Sequence, residues 1–283
     1  MGVSLDQAKS ERAHRVVAVV SDGSALADLG AAQETVGLML RRYAALIEDL
    51  AGLPAHMVPL DVDDPRQTDA SLRGLPPEVG AIVLPHARPE FACRARALTG
   101  IPVVTDQDTT AIALAAALLT ALARAGRTPR ASQVVIAGAD TLPILCPLLI
   151  VAGVGAVTTW NPADALTFPL RRIAAAADVV IDLRGGTGVG TVGIGAFAPD
   201  LEPTVIAPDS RRGPLLALPG LLRALIRAPD ARLDVEVHHA CALALVMATP
   251  PEDLLPHQPY DVLVDRVADA ALQALRPFDT SSG

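Results

Sequence analysis

Two patterns alternate along the chain. Short runs of apolar and β-branched residues recur between longer stretches in which apolar residues return every three or four positions. A short run with no polar interruption reads as a strand buried on both faces, as in a parallel sheet. Such runs predict strands at Arg15–Val20, Ala55–Leu60, Ala81–Leu84, Ile101–Thr105, Gln133–Ala137, Val157–Trp160, Asp178–Leu183 and Thr204–Ala207. The longer periodicity predicts a helix over Gln33–Leu50, with Val36, Leu40, Tyr43, Ile47 and Leu50 on one face and Gly52 closing it. Further helices are expected at Pro89–Leu98, Thr109–Ala125, Pro219–Ala228, Leu233–Ala248 and Val262–Leu275. Strands alternating with helices define an α/β chain with parallel sheets. Its 283 residues suffice for two cores. The expected division is a polar tail over residues 1–14, an N-terminal α/β domain over 15–108 and a Rossmann-like, doubly wound domain over 109–283. The apolar helix Thr109–Ala125 would be the wall between them.

Within the second half, Ser132–Pro162 reads as the opening strand–helix–strand of a dinucleotide-binding unit. The turn after the strand normally reads GxGxxG, and here it is Gly138-Ala139-Asp140-Thr141-Leu142-Pro143. Asp140 stands where a glycine lets backbone approach a pyrophosphate. A carboxylate about 4 Å from a phosphate costs roughly 4 kcal/mol at an effective dielectric near 20. Asp140 also suits the positive end of a helix, either as a capping residue or as the occupant of the chain's own anion site. Thr141 is a candidate cap, Pro143 replaces the third glycine, and Pro147 should kink the helix or delay its start. The acid expected some 20 residues on, for the ribose, is absent; Trp160-Asn161-Pro162 ends that strand. Nicotinamide cofactors are therefore not expected to bind, and the loop Gly138, Asp140, Pro143 is a degenerate cofactor site.

Composition narrows the classes. At 51% hydrophobic the chain is globular, and its net charge of −8 with no basic run excludes an electrostatic grip on nucleic acid. No apolar run reaches spanning length and no apolar signal core opens the chain, so no membrane partner and a cytoplasmic location are expected. Cys93, Cys146 and Cys241 form neither a disulfide framework nor a metal-binding spacing. The only lysine is Lys9, in the polar tail, so chemistry that needs a buried lysine is not expected.

The order of motifs resembles the malic enzyme family. Val17–Ser24, Leu29-Gly30, Ala51-Gly52 and Leu60-Asp61 look like its amino domain. Gly100–Val103 with Thr110–Ala113 looks like its domain junction, Ala217-Leu218-Pro219-Gly220 like its A-F-P-G segment, and Leu255-Pro256 with Pro259-Tyr260-Asp261 like its C-terminal I-P-x-P-F-D. The resemblance implies a two-domain α/β fold and a homodimer. It implies oxidation of malate with NAD(P) and a divalent metal only where the family's residues persist, and the departures fall there. The stretch matching the lysine base is Arg41-Arg42-Tyr43, the adjacent acidic metal ligands match Pro85-His86, the third ligand segment is Thr105-Asp106-Gln107, and the paired asparagine falls near Gly213-Pro214. The resemblance thus implies a family member without metal or nicotinamide chemistry.

The candidate catalytic residues are His86, Asp106, Asp108 and Tyr43, which would surround the old cleft and could move protons without metal. Arg211 and Arg212 could clamp a carboxylate or phosphate. The expected function is acid–base catalysis on a small acidic metabolite with no cofactor. A non-catalytic binding homologue and a residual NAD(P) oxidoreductase are the alternatives. Two further features read more simply: Gly188–Gly193 is a literal GxGxxG without the flanking strand and helix, and His238-His239 with Cys241 lies in a helical run unsuited to one metal.

Overall fold

The computed structural model describes residues 15–21, 33–60, 65–185, 203–209, 213–228 and 231–275. They form two compact units, each around its own four-stranded parallel sheet.

The first unit contains β1 (Val16–Ser21), α1 (Gln33–Ala51), β2 (Ala55–Pro59), α2 (Pro65–Arg73), β3 (Val79–Leu84), α3 (Pro89–Thr99) and β4 (Val103–Thr105). Its strand order is β2-β1-β3-β4. All six residues of β1 and of β3 are buried, as strands covered on both faces must be. Val16, Ala18 and Val20 share one cluster with Ile82, Leu84, Phe91 and Leu72, so α2 and α3 supply cover on that face. Alternation turns Val17 and Val19 to the other face, and both are fully buried there too. Helix α1 lies against β1 and β2.

The second unit contains β5 (Gln133–Ala137), α5 (Leu145–Val151), β6 (Ala156–Trp160), α6 (Leu170–Ala174), β7 (Val179–Asp182), β8 (Thr204–Ile206) and α8 (Val235–Ala248), in strand order β6-β5-β7-β8. Its core gathers Val135, Ala137, Val180, Trp160, Leu170 and Ala174. Helix α4 (Asp106–Arg124) opens at the boundary between the units, and α7 (Gly213–Arg227) is divided between them after Ala217. The chain is more interleaved than a division at residues 108 and 109, because Leu218–Leu233 and the stretch from Tyr260, with α9 (Asp261–Ala274), return to the first unit.

Each expected strand is present within a residue or two at its ends. Helix starts are less regular. Helix α4 begins at Asp106, three residues before the expected Thr109, and α7 begins at Gly213, six before Pro219. Pro219 sits inside α7, where its missing N–H removes one bond but does not end the helix. Helix α2 was not foreseen: it is mostly polar and buries only Thr68 and Leu72. Asp140 and Thr141 do not cap α5. They lie in a short 3-10 turn, and α5 starts at Leu145 with no side-chain cap. This is the delayed start that Pro147 imposes.

The Ala217–Gly220 motif has a packing reason. A Cβ on Gly220 would stand 2.6 Å from the Val264 carbonyl oxygen and 2.6 Å from the Val267 Cβ, both on α9. Nearby, Arg223 Nε donates to the Ala51 carbonyl at 2.8 Å, and its guanidinium pairs with Asp265 at 2.7 Å. One arginine thus joins the end of α1 to α9. Gly220→Ala should force backbone apart and destabilise the protein by about 1–3 kcal/mol, read from a urea melt.

Candidate functional site

Pairing of β3 with β4 builds the site. The register sets Leu84 opposite Thr105, so the residues that follow each strand emerge side by side at the same sheet edge. Those residues are Pro85-His86 and Asp106. The His86 Nδ1 lies 3.3 Å from Asp106 Oδ2. His86 is about half exposed, and Asp106 is more enclosed. Tyr43, reaching in from α1, sets its ring edge-on to the imidazole with centroids 6.4 Å apart and planes at 89°. Burial pushes the Tyr43 phenol up to about 12, the Asp106 charge adds to the rise, and Arg42 opposes it. Three of the sequence candidates therefore converge within the first unit.

His86 holds a φ of 50°, the left-handed region, and no other non-glycine among the described residues does so. Histidine tolerates this conformation better than branched residues but still pays a steric cost. The turn lets the chain leave buried β3 and enter α3 at Pro89 within a few residues.

Asp108 goes elsewhere. Because α4 starts at Asp106, two residues on is roughly 200° around the helix. Asp108 is buried, with Oδ1 3.3 Å from Nε2 of His238, itself 2% exposed on α8. A helix start at Thr109 leaves Asp106 and Asp108 together after the strand, whereas the observed start at Asp106 separates them. His238, in the helical run unsuited to a metal, is instead the partner of that carboxylate. Arg211, Arg212 and Gly188–Gly193 lie outside the described residues. The second unit also holds a cavity of about 210 Å³ beside α4, lined by Thr110, Leu114, Val205, Asp209, Leu216 and His257, for which no motif gave a signal.

At the carboxyl edge of the second sheet, β5 lies between β6 and β7, so the turn after β5 is the place where doubly wound sheets bind ligands. Gly138 makes that turn at φ 84°. Asp182, 1% exposed, ends β7 and is gripped by Arg184, with Nε 2.8 Å from Oδ1 and a second guanidinium nitrogen 2.7 Å from Oδ2. The guanidinium carbon lies 5.6 Å from the Trp160 ring centroid, a cation–π contact.

No family model matches the chain. The NAD-dependent malic enzyme 1 of Bacillus subtilis (strain 168) is 26% identical over 91% of this chain and 66% of its own length. The NAD-dependent malic enzyme of Geobacillus stearothermophilus is 25% identical over the same shares. Over nine tenths of its length the chain is similar to malic enzymes. It spans about two thirds of the length of these curated relatives. Solved malic enzymes share the fold. That of Pyrococcus horikoshii Ot3 has a TM-score of 0.72 at 21% identity, covering 93% of this chain and 76% of its own. The NAD-dependent enzyme of Thermotoga maritima has a TM-score of 0.70 at 19% identity, covering 96% and 94%. Among the described residues, no helix is long and apolar enough to cross a membrane.

Two measurements test the local energetics. His86→Gly relieves the left-handed turn while His86→Ala retains it, so the glycine variant should be more stable by roughly 0.5–1 kcal/mol in chemical denaturation. The hydrogen bonds from Arg184 hold the Asp182 carboxyl below the usual carboxylate range, against the opposing effect of burial. A depressed folded pKa gives stability that is present above the unfolded value near 3.9 and lost as pH falls through the folded one. The melting-temperature gap between the native protein and Asp182→Asn should therefore be constant at neutral pH and shrink below about pH 4.

Proposed function

We propose that this protein uses a malic-enzyme-type scaffold for acid–base chemistry on a small acidic metabolite, with His86 as the proton carrier. The observation that carries the reading is the 3.3 Å pair between His86 Nδ1 and Asp106 Oδ2 at the carboxyl edge of the first sheet. A carboxylate on Nδ1 fixes the tautomer and leaves Nε2 as the basic nitrogen. The same carboxylate stabilises the imidazolium formed when Nε2 takes a proton. Tyr43, with its phenol pushed up to about 12, stays protonated at neutral pH and serves as a hydrogen-bond donor, not a base. The reaction class that fits is abstraction of a proton from carbon beside a carbonyl: Nε2 takes the proton, the electron pair moves onto the carbonyl oxygen, and the Tyr43 hydroxyl donates to that oxygen. Arg42, whose charge is felt at Tyr43, favours an anionic substrate.

Metal chemistry does not fit the donor set. A hard divalent cation wants several oxygen ligands, whereas this edge offers one carboxylate beside an imidazole. Among the described residues, no group of three His, Cys, Asp or Glu side chains could hold a metal. The curated relatives are named for NAD, but the turn after β5 does not fit a dinucleotide either, so no hydride transfer is assigned.

The test is solvent deuterium uptake at the carbon beside the carbonyl of pyruvate and 2-oxobutyrate, followed by proton NMR with chelator present and nicotinamide absent. The native protein should accelerate exchange, and His86→Ala should lower the rate by roughly 10²–10⁴-fold with circular dichroism unchanged. Exchange indifferent to His86, or turnover of malate with NAD that survives His86→Ala, would refute the reading.

A further inference from the structure

In doubly wound sheets a pyrophosphate is held by backbone N–H groups of the turn after the first strand and of the helix that follows. Every such group must have a partner somewhere, and in this chain most partners are internal. Gly138 N–H donates to the Trp160 carbonyl at 2.7 Å, Thr141 to Gly138 at 3.0 Å, Leu142 to Ala139 at 3.2 Å and Leu145 to Leu142 at 3.1 Å. The Asp140 N–H donates to the Asn161 side-chain oxygen at 3.1 Å. Pro143 and Pro147 have no N–H to offer.

The sides of the turn are occupied as well. Asn161 sits at the end of β6, where a dinucleotide-binding chain presents an acid to the ribose. Its side chain also accepts from the Asp164 backbone, closing a capping box. Across the turn, Arg184 Cγ lies 3.4 Å from the point a Cβ on Gly138 would take. Its guanidinium is committed to buried Asp182 and faces Trp160.

We infer that this crest is closed from within: Asn161 and Arg184 fill the place of a dinucleotide, and the second sheet is a self-capped structural body. The inference deepens the nicotinamide-independent part of the proposed function and does not depend on His86. It explains why the loop kept its first glycine but not the others. Gly138 is still needed for a left-handed turn, whereas the other two glycines serve a ligand that the crest no longer admits.

Amide hydrogen exchange on the full chain, read by mass spectrometry over peptides containing Gly138–Leu142, tests this. Millimolar NADH should leave exchange there unchanged in the native protein. Asn161→Ala should speed it by up to about tenfold, the scale of one lost hydrogen bond, with peptides from β1 and β3 unaffected. Arg184→Ala should do the same, and Arg184→Lys, which keeps the stem and a positive charge, should do so less. Protection by NADH in the native protein, or unchanged exchange in both Asn161→Ala and Arg184→Ala, would overturn the inference. The deciding peptides, over Gly138–Leu142, lie in the second unit, so failure here is separable from failure of the proton-transfer assay.

Discussion

Parallel pairing is the constraint from which the rest follows. Every strand pair in both sheets is parallel, so each chain segment must leave a strand at one edge and return across a face before the next begins. All strand exits in a sheet therefore share one edge. Polar residues that cannot enter β1 or β3, whose residues are all buried, collect at those exits. His86 and Asp106 meet because Leu84 and Thr105 are paired, and Arg184 comes beside Gly138 because Ala137 and Asp182 are paired. Neither meeting needs sequence proximity.

The same logic shows why two carboxylates two residues apart have different fates. Asp106 opens α4 at the sheet edge and stays partly in contact with water, where its contact with Nδ1 of the half-exposed imidazole leaves Nε2 available. Asp108 is turned inward and meets a buried histidine. A buried pair of this kind costs desolvation on both partners and is poorly suited to exchange protons with a substrate. Chemistry is more readily assigned to the exposed pair than to the buried one.

Much of this was legible in the residues. Buried parallel strands announce themselves as uninterrupted apolar runs, and Gly138, Gly100 and Gly52 mark turns that need positive φ. The convergence of Tyr43, His86 and Asp106 could be anticipated because each lies at a strand exit or on the apolar face of α1. What could not be read was decided by tertiary packing. Helix α7 runs through Pro219 because Gly220 lets it press against α9. Helix α2 forms from a polar segment because burying Leu72 suffices once a sheet is present. The Asp182–Arg184 clasp left no trace in periodicity, since neither residue belongs to a recognisable motif.

The return of the chain to its first unit bears on how the protein is made. During synthesis, β1 to β4 emerge early, yet α9 and the second half of α7 belong to the same body and emerge only after residues 107–217 have been built. At ordinary elongation rates the interval from Asp106 to Tyr260 lasts on the order of ten to thirty seconds. Until Arg223 is made the end of α1 lacks that partner, and through the whole interval the surface that will seat α9 is open to the cell. The nascent first sheet thus spends that interval without the part of its own unit that the later segments supply.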